Sequence, residues 1–373
     1  MSTDPNFPAT GLQIRPSNAA TQCSKEEWDV VDSAEDIESF GIAGRVWEAA
    51  YAARRYFREA ALPSHLDLEP MTSLFSQESD GGEPITVLEL GAGAGYGGLH
   101  LCKCLELYHA QRGRPSDSTN KDVRPRVLLT DLPNVLPLLE RNIARAQESD
   151  KTLVEHVDVQ AWPCAWGDEA AVRDIFQSLF TSKSTSTSSS PLSHILAADL
   201  VYFPELFPPL LRSLLWLTEP VGSSEVEDKN NLRTPEVIFT YKVRSLVKEQ
   251  PFWSVFGAWF DFEAVFCRKK IHPSSSDDHD ESSSWRRFGE RRSDVSLRVK
   301  SDADEQEEDD SDQQVYVFLA RRKSSTFGWR APGDDRALMS GRRERTEVTG
   351  GEVTVLTELD DTFEMLLLNS IGL

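Results

Sequence analysis

Residues Ile85 to Gly98 read ITVLELGAGAGYGG. The first six residues, ITVLEL, make a short apolar and partly β-branched run of strand character. The glycines end it, and the apolar stretch around LHLCKCLELYH, from Leu99, has the length and composition of a helix. Strand, glycine turn, helix is the unit from which parallel α/β sheets are built. The missing side chains of Gly91, Gly93 and Gly95 allow both a tight turn and close approach of a ligand to the backbone. On its own the turn fits equally well a tight strand-to-helix connection in any α/β protein.

Working outward, the same unit recurs. Arg126 to Thr130 (RVLLT) ends at Asp131, and the following DLPNVLPLLERNIARAQ places Val135, Leu138, Leu139 and Ile143 on one helical face. A third strand is expected over Leu153 to Val159 (LVEHVDV), before the aromatic stretch QAWPCAWGD. A fourth, HILAAD, ends at Asp199 and is followed by the helix FPPLLRSLLWL. A fifth, EVIFTYK, precedes the helical RSLVKEQPFWSVFGAWF. Asp261 to Phe266 (DFEAVF) and Gln314 to Arg322 (QVYVFLARR) are expected to close the sheet as an antiparallel hairpin around a long excursion. Alternation of this kind predicts a seven-strand, doubly wound, mostly parallel sheet with ligands outside the carboxyl ends of its strands.

The chain has 373 residues, 39% of them hydrophobic, enough for one large core carrying insertions. The first forty residues are polar and aperiodic and are expected to form a flexible arm. The helix in GIAGRVWEAAYAARRYF then opens a domain over 41–323, with a disordered insertion over about 272–312 and a weakly structured extension over 324–373. The net charge is −21, but Ser301 to Asp312 alone carries eight carboxylates, a block that repels itself into a solvated segment. This balance argues against nucleic acid as the partner. The basic pieces at Arg268 and around Trp285 read as solvated flanks of that block. Five scattered cysteines without a CxxC pair indicate neither a disulfide framework nor a metal site. The first residues lack the apolar core of a signal peptide and no run approaches transmembrane length. A soluble monomer is expected, in the cytoplasm or, as the second compartment, the nucleus, with no membrane contact.

Asp131, at a strand end beside the glycine turn, is placed to accept both hydroxyl hydrogens of an adenosine ribose. The competing reading is that it caps the helix beginning near Leu132. A glycine turn with an acidic strand end suits a nicotinamide cofactor as well as S-adenosylmethionine, so spacing alone leaves the two open.

VLELGAGAGYGG, TDLPNVLPLLERNI, AWGD and AADLVY, in this order and preceded by GRVWEAA, resemble the protein lysine methyltransferases sometimes called family sixteen, the methyltransferase-twenty-one-like group. The resemblance spans about Gly41 to Phe266, and the strand Val315 to Ala320 also fits. It implies a Rossmann-like class I methyltransferase fold with S-adenosylmethionine as cofactor. It further implies that Trp47 and the Gly91, Gly93, Gly95 turn contact the cofactor, that Asp131 holds its ribose, and that Trp166 and Ala198 line its adenine and methionine sides. Glu89 occupies the position of an acidic residue near the cofactor's amino group. Asp199 and Tyr202 are marked as the Asp-x-x-Tyr pair beside methyl transfer, where a carboxylate can hydrogen-bond the amine and an aromatic ring can wall its channel. The implied substrate is a lysine of a non-histone cytosolic protein, of the chaperone, AAA-type ATPase or translation elongation factor class. Two alternatives stay open: methylation of a small nitrogen compound such as nicotinamide or of protein histidine, and a non-catalytic cofactor-binding interaction protein.

Overall fold

The structure is a computed structural model that describes residues 5–7, 14–17, 30, 32–75, 85–111, 124–181, 192–220, 232–270, 284–289, 315–346 and 352–370. In chain order, α1 (Ala34–Phe40) and α2 (Glu48–Ala61) precede β1 (Leu66–Glu69). Strand β2 (Thr86–Leu90) leads to α3 (Tyr96–Gln111), and β3 (Arg126–Asp131) to α4 (Leu136–Ser149) and α5 (Lys151–His156). Next come β4 (Asp158–Pro163) with α6 (Glu169–Thr181), β5 (His194–Ala198) with α7 (Phe207–Leu217), and β6 (Glu236–Lys242) with α8 (Leu246–Trp259). The chain continues through β7 (Phe260–Ala264), β8 (Phe266–Lys269), β9 (Arg286–Arg287) and β10 (Val315–Arg322). It ends with α9 (Asp335–Met339), β11 (Arg342–Thr346), β12 (Glu352–Leu356) and α10 (Thr362–Ser370).

The expected doubly wound sheet is present, in the order β4-β3-β2-β5-β6-β10-β7. The pairs from β4 to β6 are parallel, while β10 runs antiparallel between β6 and β7. Each central strand is buried on both faces, which is why it reads as a nearly unbroken apolar run. In β2, Val87 belongs to the core under α2, α3 and α4, while Leu88 and Leu90 belong to the opposite core under α6, α7 and α8. The period of two also sends Glu89 to the α3 side, a point taken up below.

Several sequence expectations are shifted by local chemistry. The third strand is not Leu153 to Val159: Asp150 caps a helix by accepting the Thr152 N–H at 3.1 Å, so 151–156 coil as α5. The strand starts at Asp158 and pairs through Trp162 and Pro163 with Thr130 and Asp131. The stretch Asp261 to Phe266 is two strands, because Val265 donates to the Val317 carbonyl at 2.8 Å and the chain then leaves the main sheet. From Phe266 it pairs with β1 in a small antiparallel sheet, β1-β8-β9. The segment around Trp285 is not wholly a solvated flank: Phe288 is buried against Tyr56, and the Arg287 guanidinium lies 4.0 Å from the Tyr316 ring centroid. Apart from 284–289, the expected insertion over 272–312 falls outside the described residues, as does the Ser/Thr tract after α6.

Order also begins before Gly41. Ser33 caps α1 by accepting the Asp36 N–H at 3.0 Å, and the buried Asp32 carboxylate accepts the N–H groups of Ser17 and Val46 at 2.8 and 3.3 Å. The Asn6 carbonyl accepts the Ile42 N–H at 3.1 Å. Beyond Lys323 the described residues form α9, β11, β12 and α10, and α10 packs onto the core. Phe363 of α10 is fully buried, its ring 5.1 Å from Trp253 and 6.0 Å from Tyr241. At the carboxyl end of α8, Arg343 donates to the Ala258 carbonyl and Lys323 to the Gly257 carbonyl, so cations meet the negative end of the helix dipole. Arg322 and Arg343 both lie over the Trp259 ring, at 4.8 and 4.5 Å.

Phe363→Ala removes a ring from this shared core and is expected to lower unfolding stability by about 3–5 kcal/mol. Denaturant unfolding measures it. A loss below about 1 kcal/mol would mean that α10 is not part of the cooperative unit.

Candidate active site

The carboxyl ends of β2 to β6 surround a cavity of about 500 Å³. Its floor is the turn after β2. Gly91 and Gly93 have φ of 65° and 55°, in the left-handed region. A Cβ on Gly91 would stand 2.8 Å from the Trp166 ring and one on Gly93 would stand 3.0 Å from the Ala43 carbonyl, so side chains here would fill the cradle or push its walls apart.

Asp131 faces this turn from the end of β3. One carboxylate oxygen accepts the Gly93 N–H and the other the Leu132 N–H, both at 2.7 Å. The helix-cap reading of Asp131 is thereby excluded, because α4 starts only at Leu136, after Val135. A carboxylate oxygen can accept two hydrogen bonds, so this anchoring orients Asp131 and is compatible with a ribose diol.

Glu89 is 2% exposed, and its carboxylate accepts the Gly98 N–H at 2.9 Å. Burial, augmented by the neighbouring Asp131 charge and opposed by the Gly98 hydrogen bond, pushes its carboxyl up to about 8. A Cβ on Gly98 would lie 2.5 Å from that carboxylate, so the last two glycines of the motif serve Glu89 more than the turn.

After β5, Asp199 has φ 65°, the positive-φ residue other than glycine among the described residues. Such conformations are uncommon for a side-chain-bearing residue and cluster at functional sites. Its N–H donates to the Thr240 carbonyl at 2.7 Å, and its side chain is 1% exposed. Both carboxylate oxygens are taken by the fork of Arg244, with Nη1 to Oδ1 at 2.6 Å and Nη2 to Oδ2. Tyr202 stands three residues on, its ring 6.2 Å from Trp166 and 4.9 Å from Phe203. Burial and the Asp131 and Asp199 carboxylates push its phenol above the ordinary range, so it is a neutral wall and donor, not a phenolate base.

Trp47, just ahead of α2, closes the side facing Asp199. Its indole N–H donates to the Ile42 carbonyl at 3.0 Å, and the guanidiniums of Arg45 and Arg244 lie 4.4 and 5.3 Å from its ring centroid.

Of the sequence candidates, Trp47, Glu89, Gly91, Gly93, Asp131, Trp166, Ala198, Asp199 and Tyr202 all line the one cavity. Gly95 does not: it faces Leu139 and Leu129 and serves the packing of α4 on the sheet. Sequence reasoning missed Arg244, Glu249 and the N-terminal residues Pro5 and Asn6, which also line it. Arg244 follows the end of the fifth strand by two residues, so the strand-end rule applied there would have marked it.

The model of the lysine methyltransferase family matches residues 25–252, more than half of the chain. The chain belongs to the lysine methyltransferase family. The protein-lysine N-methyltransferase EFM6 of Saccharomyces cerevisiae is 28% identical to this methyltransferase over 211 residues, 56% of this chain and 68% of the yeast protein. A solved structure of a Klebsiella pneumoniae protein described as an O-methyltransferase covers 80% of this methyltransferase and 98% of its own chain, at 12% identity and a TM-score of 0.29.

Glu89 gives the methyltransferase a pH signature. Its folded pKa of about 8 lies above the ordinary 4.5, so the folded state keeps a proton that the unfolded chain releases in between. The Glu89 contribution to stability is therefore highest below 4.5 and lost as pH rises toward 8. The unfolding free energy of wild type, taken relative to Glu89→Gln, is expected to fall across this window in denaturant titrations; a difference independent of pH would show that burial leaves the carboxyl unperturbed.

Proposed function

We propose that this enzyme transfers a methyl group from S-adenosylmethionine to the side-chain nitrogen of a lysine on another protein, in the cavity at the carboxyl edge of the sheet. The observation that carries this reading is the convergence of the Gly91–Gly93 cradle, Asp131 and the Asp199–Tyr202 segment on that one cavity. The residues fit the cofactor: a backbone cradle free of Cβ atoms, an anchored carboxylate for a ribose diol, and the Trp166 ring over Gly91 as an apolar wall. When bound, S-adenosylmethionine would supply a methyl group on a sulfonium, open to in-line attack by a neutral amine, with the thioether leaving with the bonding electrons and the resulting ammonium losing its proton to solvent.

The chain's own contribution is orientation and exclusion of water. Asp131 and the glycine turn hold the nucleoside end. Glu89, protonated near neutrality in the unliganded protein, faces the turn as a hydrogen-bond donor that can become an acceptor once a cation stands beside it. Tyr202 walls the channel by which the lysine side chain enters, and its ring face favours the cationic product. Asp199 orients the amine. The substrate classes implied by the sequence resemblance, namely chaperones, AAA-type ATPases and translation elongation factors of the cytoplasm, are the ones to screen first.

The test is transfer of labelled methyl from S-adenosylmethionine into fractionated cell extract, with the acceptor identified by mass spectrometry. A discrete protein labelled on lysine is expected. Asp199→Ala should lower the rate about 100-fold with cofactor affinity little changed. Asp131→Ala should weaken cofactor binding by about 10- to 100-fold through lost hydrogen bonds. Label confined to small molecules, or on histidine, would overturn the choice of acceptor.

A further inference from the structure

The Asp199 carboxylate is not presented to the cavity on its own. It is held in the left-handed conformation at the end of β5 and is gripped through both oxygens by the Arg244 guanidinium. A planar fork matched to a carboxylate fixes direction as well as distance, which a lysine in the same place would not do.

Arg244 is itself held from two sides. Its backbone N–H and that of Ser245 both donate, at 3.1 Å, to the carboxylate of Glu249, which is 1% exposed and also accepts the Tyr241 hydroxyl. Its side chain continues past Asp199 to Glu48 at 3.5 Å and over the Trp47 ring. Burial works against the guanidinium charge, but Asp199 and Glu48 outweigh it and hold its pKa above the ordinary arginine range. Arg244 thus joins three parts of the site that are far apart in sequence: the start of α2, the end of β5 and the loop between β6 and α8.

We infer that Arg244 is a positioning residue for methyl transfer: it acts through Asp199, fixing the carboxylate that orients the incoming amine relative to the Trp47 wall. This inference rests on the reading of the cavity as the methyl-transfer site. It assigns Arg244 no contact with the reacting atoms and makes Glu249 the support that sets the arginine's backbone.

The test uses the full chain and the labelled-methyl assay, varying S-adenosylmethionine concentration to separate kcat from KM. Arg244→Met is expected to lower kcat about 100-fold, the cost of a displaced reacting geometry, with KM for S-adenosylmethionine within about twofold of wild type. Cooperative denaturant unfolding with the amplitude of wild type certifies separately that the variant is folded. Arg244→Lys keeps the charge without the fork and should recover part of the loss, to about tenfold below wild type. Because the effect runs through Asp199, Asp199→Asn combined with Arg244→Met should be no slower than Asp199→Asn alone, within about twofold.

Wild-type kcat in Arg244→Met, a rise in KM without loss of kcat, or losses that multiply in the double variant would each overturn the inference. Absence of label with wild-type enzyme that binds S-adenosylmethionine would overturn the reading of the cavity and this inference with it.

Discussion

Strand β2 is buried on both faces and hydrogen-bonded on both edges, between β3 and β5. Its carboxyl end is the one place where this central strand can meet a ligand, and the helices that follow β2 and β5 pack on opposite faces, α3 over one core and α7 over the other. The two connections therefore part above the sheet and leave a crevice. The rest of the site follows from that opening. The turn must be glycine because the crevice is narrow there, and the flanking strands deliver Asp131 and Asp199 to either side of it.

The same burial sets the electrostatics. Glu89 is the ionisable member of strand β2, placed by the two-residue period on the side of α3 and shielded from water. A lone buried carboxylate is costly, and the site meets the cost in two ways. Glu89 keeps its proton, while Asp199 meets the Arg244 guanidinium through both of its oxygens. Two carboxylates at adjacent strands are thus accommodated differently, and the difference lies in whether a cation reaches them.

Much of this architecture is legible in the sequence. The strands of β2, β3, β5, β6 and β10 read correctly because each is a buried apolar run bounded by breakers; the strand-end rule then picked out Asp131, while the family resemblance marked Asp199. What could not be read is governed by tertiary contacts. The period of LVEHVDV fits helix and strand equally until Asp150 is seen capping a helix. DFEAVF looks continuous, yet Val265 diverts it into a second sheet. Arg244, Arg322 and Arg343 look like surface charges in sequence, but each is held against an aromatic ring and paired with carboxylates or carbonyls. Composition likewise hides the docking of the last elements, because the burial of Phe363 depends on the aromatic cluster around Trp253 assembled from β6, α8 and β10.

The distribution of tryptophan gives the molecule two separate optical records. Trp47 and Trp166 stand in the cavity wall, where a bound nucleoside or a displaced guanidinium would alter their surroundings directly. Trp253 and Trp259 are sealed in the aromatic core beneath α10 and beside the buried arginines, so their emission follows the integrity of the fold. Of the nine tryptophans, these two pairs thus report different events, and substituting either pair shows which part of the intrinsic fluorescence is lost with it.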